Sequence, residues 1–319
     1  MVAARQVKRK VMAGVLALAV AACETQPETA IDTSGADTAA APAAESYSLI
    51  SSITGFSTPE AARYDGEQDV WFVSNIEGAP AARDNNGFIS RLRPDGTIDS
   101  LRFIAGGRDG VTLNAPKGLL VVGDTLWVAD LDVARAFNTR TGAAIGAVTV
   151  RGATMLNDLA RGPDGAVYVT DTGLEFGVEG AQQQPSRIYR IGDMQASQAL
   201  EHESLRGPNG IAWDGNRSAF LIGSYLGDSV FTWSAGDTVP RGVVGGPGQW
   251  DGLATLPDGR VLMSSWADSS IYVLDGSSAS KVISGVAAPA AIGVDPQRMQ
   301  VAIPSLTGNT VELYRIPPR

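Results

Sequence analysis

Six residues recur at the same point of a repeated pattern: Glu60, Lys117, Asn157, Asn209, Asp251 and Ala290. Each opens a short apolar strand, which turns through Gly, Asp or Asn into a second apolar strand with a small or polar end. The copies read PEAARYDGEQDVWFVSN, PKGLLVVGDTLWVAD, LNDLARGPDGAVYVTD, PNGIAWDGNRSAFLIGS, WDGLATLPDGRVLMSS and PAAIGVDPQRMQVAIPS. In register around one axis, two acids and two amides converge as hard oxygen donors, suited to Ca²⁺, Mg²⁺ or Mn²⁺ more than to a thiolate metal. Lys117 in the same column opens two contrary roles. Its ammonium could neutralise the carboxylates and occupy the site outright, or it could stabilise an oxyanion or act as a base of lowered pKa. A third reading is that the column satisfies strand-end amides or lines a wet channel.

The elements that must position this column are legible in the same repeats. A third strand follows each hairpin (GFISRLRP, VARAFNTR, SRIYRIG, SVFTWSA, SIYVLDG, TVELYRI), and a fourth follows the first five. The spacing of roughly 40 to 55 residues marks a propeller or solenoid, because one such sheet cannot bury both faces alone. The sixth copy lacks a fourth strand, and residues 47–53 (YSLISSI), ahead of the first copy, are expected to supply it. The expected fold is therefore all-β: a six-bladed β-propeller of four-stranded blades, closed by an N-terminal strand that joins the last blade.

At these residues the chain resembles the gluconolactonase and senescence-marker-protein (regucalcin) family of six-bladed propellers, over roughly residues 58–317. The Glu of PEAARYD, the Asn-Asp of LNDLARG, the Asn-Gly of GPNGIAWD and the Asp-Gly of WDGLATLPDGR carry the resemblance. It implies that Glu60, Asn209 and Asp251 hold a divalent cation, Ca²⁺ foremost, with Mg²⁺, Mn²⁺ or Zn²⁺ as other candidates. It further implies hydrolysis of a small-molecule lactone or related ester. The cation would polarise the carbonyl and Asp251 would take a proton from water, while Asn157 and Asp158 orient the substrate. Asp251 and Lys117 are thus the catalytic candidates, and Asp251 could equally be a ligand alone. The chain departs from the sugar-lactone pattern at Met155, where those enzymes usually carry Arg two residues before the Asn-Asp pair.

Other residues divide between core and rim. Trp71, Trp127 and Trp213 fall within repeat strands and read as core, whereas Trp250 and Trp266, near Asp251, are expected to line a substrate pocket. Two insertions after second strands, residues 76–86 and 172–185, are expected to overhang the column. The single histidine, His202, lies in ALEHESL on an outer strand, against a His-based triad or a His-rich zinc site.

The N-terminus reads as an address. Arg5, Lys8, Arg9 and Lys10 precede the short apolar stretch VMAGVLALAVAA, and Val20-Ala21-Ala22-Cys23 resembles a bacterial lipobox. The expected organisation is a signal peptide at 1–22, a lipidated Cys23 with an Ala-, Thr- and Pro-rich tether to residue 45, and the propeller at 46–319. Glu24 is not the Asp of an inner-membrane retention signal, which favours the outer membrane, on the periplasmic side. Without residues 1–22 the chain holds 21 Lys and Arg against 34 Asp and Glu. That balance argues against nucleic acid, and leaves the lipid as the only membrane contact. From another class, the alternative function is a non-catalytic propeller that binds a ligand, glycan or envelope protein partner. Cys23→Ser is expected to leave the protein unprocessed or released from the membrane. An unmodified thiol at Cys23 of the native protein, seen by mass spectrometry, would contradict the anchor.

Overall fold

The computed structural model describes residues 46–177 and 180–319. The expected signal peptide, Cys23 and the tether lie outside the described residues. Six four-stranded antiparallel sheets follow one another along the chain as blades. Their innermost strands are Pro59–Asp65, Pro116–Val122, Leu156–Arg161, Pro208–Asp214, Trp250–Thr255 and Gly293–Asp295. Their second strands are Val70–Asn75, Thr125–Asp130, Val167–Asp171, Ala219–Ser224, Val261–Ser265 and Gln300–Ser305. Blade six draws its outermost strand from Ser48–Thr54, antiparallel to Thr310–Arg315.

Second strands such as VWFVSN and AFLIGS are apolar at successive positions because a blade is covered on both faces by its neighbours. Hairpin turns are fixed locally. Asp65 accepts from the Glu67 and Gln68 amides, Asp214 from Asn216 and Arg217, and Asp295 from Gln297 and Arg298. These side chains close the turn two or three residues on, as Asx turns do. The core lies between blades rather than at the axis. Phe72, Ile89, Leu126 and Phe137 join blades one and two, and Ala302, Val311 and Leu313 join blade six to Ala62, Trp71 and Val73 of blade one.

One irregularity repeats in the first five blades. The inner ladder pairs normally at its first residue and resumes one residue out of step, between Pro59 and Ala61, Pro116 and Leu119, Leu156 and Leu159, Pro208 and Ile211, and Trp250 and Leu253. These are β-bulges, and the residues they leave out of the ladder include Glu60, Lys117, Asn157, Asn209 and Asp251. A bulge bends its strand and re-aims the side chain at the extra position.

The residue after each column position meets the next blade's backbone. A Cβ on Gly210 would lie 1.9 Å from the Asp251 carbonyl oxygen, and one on Gly252 2.4 Å from the Ile292 amide. Blades six and one meet through Ala291, whose amide donates to Glu60 O and whose carbonyl accepts from Ala62 N. Hydroxyls of the second strands take up the bulged amides: Ser74 accepts from Ala61 N, Thr170 from Asp158 N and Ser264 from Gly252 N. Gly210→Ala is expected to destabilise the protein by about 3 kcal/mol, the upper range for overpacking, because the obstacle is backbone. Gly215→Ala, where a Cβ meets nothing within 4 Å, is expected to stay within about 0.5 kcal/mol of wild type in denaturant unfolding.

Candidate functional site

The five polar column residues are all buried, with exposures of 2 to 5%. Glu60, Lys117, Asn157, Asn209 and Asp251 together line the floor of one axial cavity of about 220 Å³. Their donors are spent sideways. Asn209 Nδ2 donates to Asp251 Oδ2 at 3.2 Å, and Asn157 Nδ2 donates to Thr172 Oγ1 at 3.0 Å. Four oxygens are left over: Glu60 Oε2, Asn157 Oδ1, Asn209 Oδ1 and Asp251 Oδ1 are buried without a hydrogen-bond partner among the described residues. Acceptors seldom stay unpaired inside a protein unless a ligand, ion or water meets them. No cluster of three or more His, Cys, Asp or Glu occurs among the described residues, so the donor set rests on two carboxylates and two amides. Neutral amide oxygens beside carboxylates suit a hard divalent cation.

The electrostatics agree with that donor set. Burial holds the Glu60 carboxyl well above the usual carboxylate range; the Asp251 charge adds to this and Lys117 opposes it. Asp251 is likewise raised by burial and by Asp158, against the pull of the Asn209 hydrogen bond and of the nearby Trp266 indole N–H. Burial lowers the Lys117 pKa, with Glu60 and Asp130 pulling the other way.

Three expected site residues are placed differently. Lys117 reaches the floor, but its Nζ donates to the carbonyls of Pro80 at 2.7 Å and Ala115 at 3.3 Å. No ion pair joins it to a carboxylate among the described residues, because the 76–86 segment offers its ammonium a carbonyl instead. Asp158 does not line the cavity: it follows the bulged position, accepts from the Leu159 and Ile211 amides, and pairs with Arg63 at 3.3 Å. Trp250 pairs with Ser265 before the bulge, so its ring enters the core between blades four and five. There Nε1 donates to Asp228 O at 2.9 Å and the ring meets Tyr272 edge-on, which excludes it from the cavity. Trp266 does line the cavity, and its Nε1 lacks a partner among the described residues.

Above the floor lies a second ring. The residues just past the second strands are Ile76, Leu131, Thr172, Tyr225, Trp266 and Leu306, and all but Leu131 line the cavity. Both insertions reach it, through Pro80 and through Leu174 and Phe176. The second insertion is not a plain loop: Leu174–Gly177 and Gly180–Gln183 pair as a two-stranded sheet. Leu174 and Phe176, two apart on a strand, share the cavity face. Tyr225 packs edge-on against Trp266 with centroids 5.4 Å apart, and burial and the Asp251 charge push its hydroxyl up to about 12. Sequence reasoning missed Tyr225, although its place one residue past a strand end, matching Trp266, was the available signal.

The fold and site define a six-bladed propeller with an oxygen-lined axial cavity under an apolar collar. The chain belongs to the SMP-30/gluconolactonase/LRE-like family, whose model matches residues 58–295. Among solved structures it is similar to a candidate gluconolactonase, at 15% identity over 86% of this chain and 93% of that one, with a TM-score of 0.64. It is similar to a gluconolactonase of Xanthomonas campestris at 16% identity, over 85% and 89% of the two chains, with a TM-score of 0.62. A virginiamycin B lyase from Staphylococcus aureus shares the fold at 12% identity, over 85% and 99%, with a TM-score of 0.56. No curated protein matches the chain by sequence.

A raised folded-state carboxyl contributes stability that is fully present below the unfolded value and is lost as pH rises through the folded one. With a chelator present, the free energy of unfolding is therefore expected to fall as pH rises above about 4.5, the ordinary Glu range. Glu60→Gln is expected to flatten that slope, and added Ca²⁺ to offset it. Urea titrations at successive pH values measure this, and a slope that rises with pH in wild type would contradict the raised carboxyls.

Proposed function

We propose that the chain is a cation-assisted hydrolase of a lactone or related ester, anchored through Cys23 on the periplasmic side of the outer membrane. The four unpartnered oxygens on the floor of one axial cavity are the observation that carries this reading. Glu60, Asn209 and Asp251 would hold the ion, with Asn157 beside it. Bound there, a divalent cation supplies Lewis-acid polarisation of the carbonyl and a lowered pKa for water.

The remaining work falls to the chain's own side chains. Asn209 fixes Oδ2 of Asp251 and leaves Oδ1 free to accept a proton from water at the substrate carbonyl. The water oxygen bonds to the acyl carbon, the acyl carbon–oxygen bond breaks, and the proton on Asp251 passes to the leaving alkoxide. Products are a carboxylate, with loss of its proton to solvent, and an alcohol, joined in one molecule when the substrate is a lactone. The unpartnered Nε1 of Trp266 is a donor for the carbonyl oxygen as it gains charge. Lys117 acts as a positioning residue, because its ammonium ties Pro80 and the 76–86 segment to the cavity.

A binding-only propeller is the second reading, supported by shared architecture across propellers of different function. The purified full-length chain in detergent is expected to retain about one equivalent of divalent cation and to hydrolyse lactones or aryl esters. Asp251→Asn is expected to lower kcat by about 10² to 10⁴, the range for a lost general base. Retained cation without turnover of any lactone or ester would favour the binder. A metal-free wild-type protein that takes up no Ca²⁺, Mg²⁺, Mn²⁺ or Zn²⁺ would refute the cation site.

A further inference from the structure

Most polar atoms of the cavity lie on its floor, and most of their donors are already engaged. Asn157 Nδ2 is held by Thr172, whose hydroxyl donates onward to Pro208 O. Lys117 Nζ is held by two carbonyls, and Asn209 Nδ2 by Asp251. The collar presents Ile76, Met155, Leu174, Phe176 and Leu306, with Tyr225 and Trp266 supplying one polar edge each. Phe176 is 48% exposed on the hairpin, a large apolar side chain that core packing does not account for.

A polyhydroxylated ring would bring several hydroxyls against carbon walls with almost no donors or acceptors to meet them. Each hydroxyl buried unpaired costs roughly tenfold or more in binding. An alkyl or aryl substituent loses nothing there and gains from leaving water. The volume, about 220 Å³, lies below the ~300 Å³ lower end of sites for drug-sized ligands, so the occupant is small.

We propose that the substrate is a small lactone or ester bearing an apolar alkyl or aryl substituent, seated against Ile76, Met155, Leu174, Phe176, Tyr225 and Trp266, and not a sugar lactone. This rests on the hydrolase reading above and adds the substrate class. The carbonyl faces the oxygen floor, and the substituent points outward beneath the hairpin.

The test compares glucono-δ-lactone, δ-valerolactone, δ-lactones with alkyl tails of increasing length, and phenyl acetate as substrates of the full-length protein. Values of kcat/KM are expected to rise about fourfold per methylene over the first few carbons, and to exceed that for glucono-δ-lactone by at least a hundredfold. Phe176→Ser is expected to cut the alkyl preference about tenfold, while Glu175→Gln, on the neighbouring hairpin position outside the cavity, leaves it unchanged. Turnover of glucono-δ-lactone at an equal or higher rate would overturn the substrate class and leave the hydrolase standing, as would an alkyl preference indifferent to Phe176→Ser. If nothing is hydrolysed, the hydrolase reading fails and calorimetry with unreactive lactams decides the collar's role. An alkyl-substituted δ-lactam binding at least tenfold more tightly than δ-valerolactam or gluconolactam supports it, and equal or weaker binding overturns it.

Discussion

Close approach of six backbones around one axis is the constraint on which the rest of this structure depends. Inner strands converge closely where the residue facing the next blade is small, as Gly210 and Gly252 meet neighbouring backbone at distances that no Cβ could share. In blade three Asp158 holds that place and accepts from the Leu159 and Ile211 amides. At this approach the repeated bulge inserts one extra residue into each of the first five inner strands. The same bulge brings Glu60, Lys117, Asn157, Asn209 and Asp251 to one floor. The site is thus a by-product of how the ring closes up, and the hydroxyls of Ser74, Thr170 and Ser264 hold its geometry by capturing the bulged amides.

Burying two carboxyls at that floor is electrostatically costly, and the nearest ammonium, at Lys117, offsets the cost only in part. The Lys117 ammonium serves the carbonyls of Pro80 and Ala115, and the Arg63 guanidinium pairs with Asp158. Glu60 and Asp251 are left with raised pKa values and free oxygens. A bound cation would reverse the balance that now favours the protonated carboxyls.

The oxygen donors and the apolar walls of the cavity come from different parts of the repeat. The floor derives from the second residue of the first five inner strands, within the rigid part of each blade. The collar derives from the first residue past five of the six second strands, from Met155 and from two insertions, where chain length and sequence can vary without disturbing the ladders. Family membership fixes the scaffold, whereas Met155, Tyr225, Phe176 and their neighbours give this chain's cavity its apolar character.

The repeat count, the strand order within blades and the convergence of Glu60, Asn157, Asn209 and Asp251 were legible in the sequence, because equal spacing in a repeat translates into equal height around an axis. Trp266 was legible because it directly follows the strand that pairs with the one carrying Asp251. Side-chain direction was not. Trp250 and Asp251 are adjacent, yet a strand sends adjacent side chains to opposite sides, so one enters the interblade core and the other the floor. Asp158 and Asn157 part in the same way across a bulge whose position no hydrophobic pattern records. Which partner Lys117 chose depended on a carbonyl 37 residues away in sequence, at Pro80, brought within reach by the tertiary structure. Periodicity along the chain determined which residues gather at the axis. Long-range packing alone decided which of their atoms remain free for chemistry.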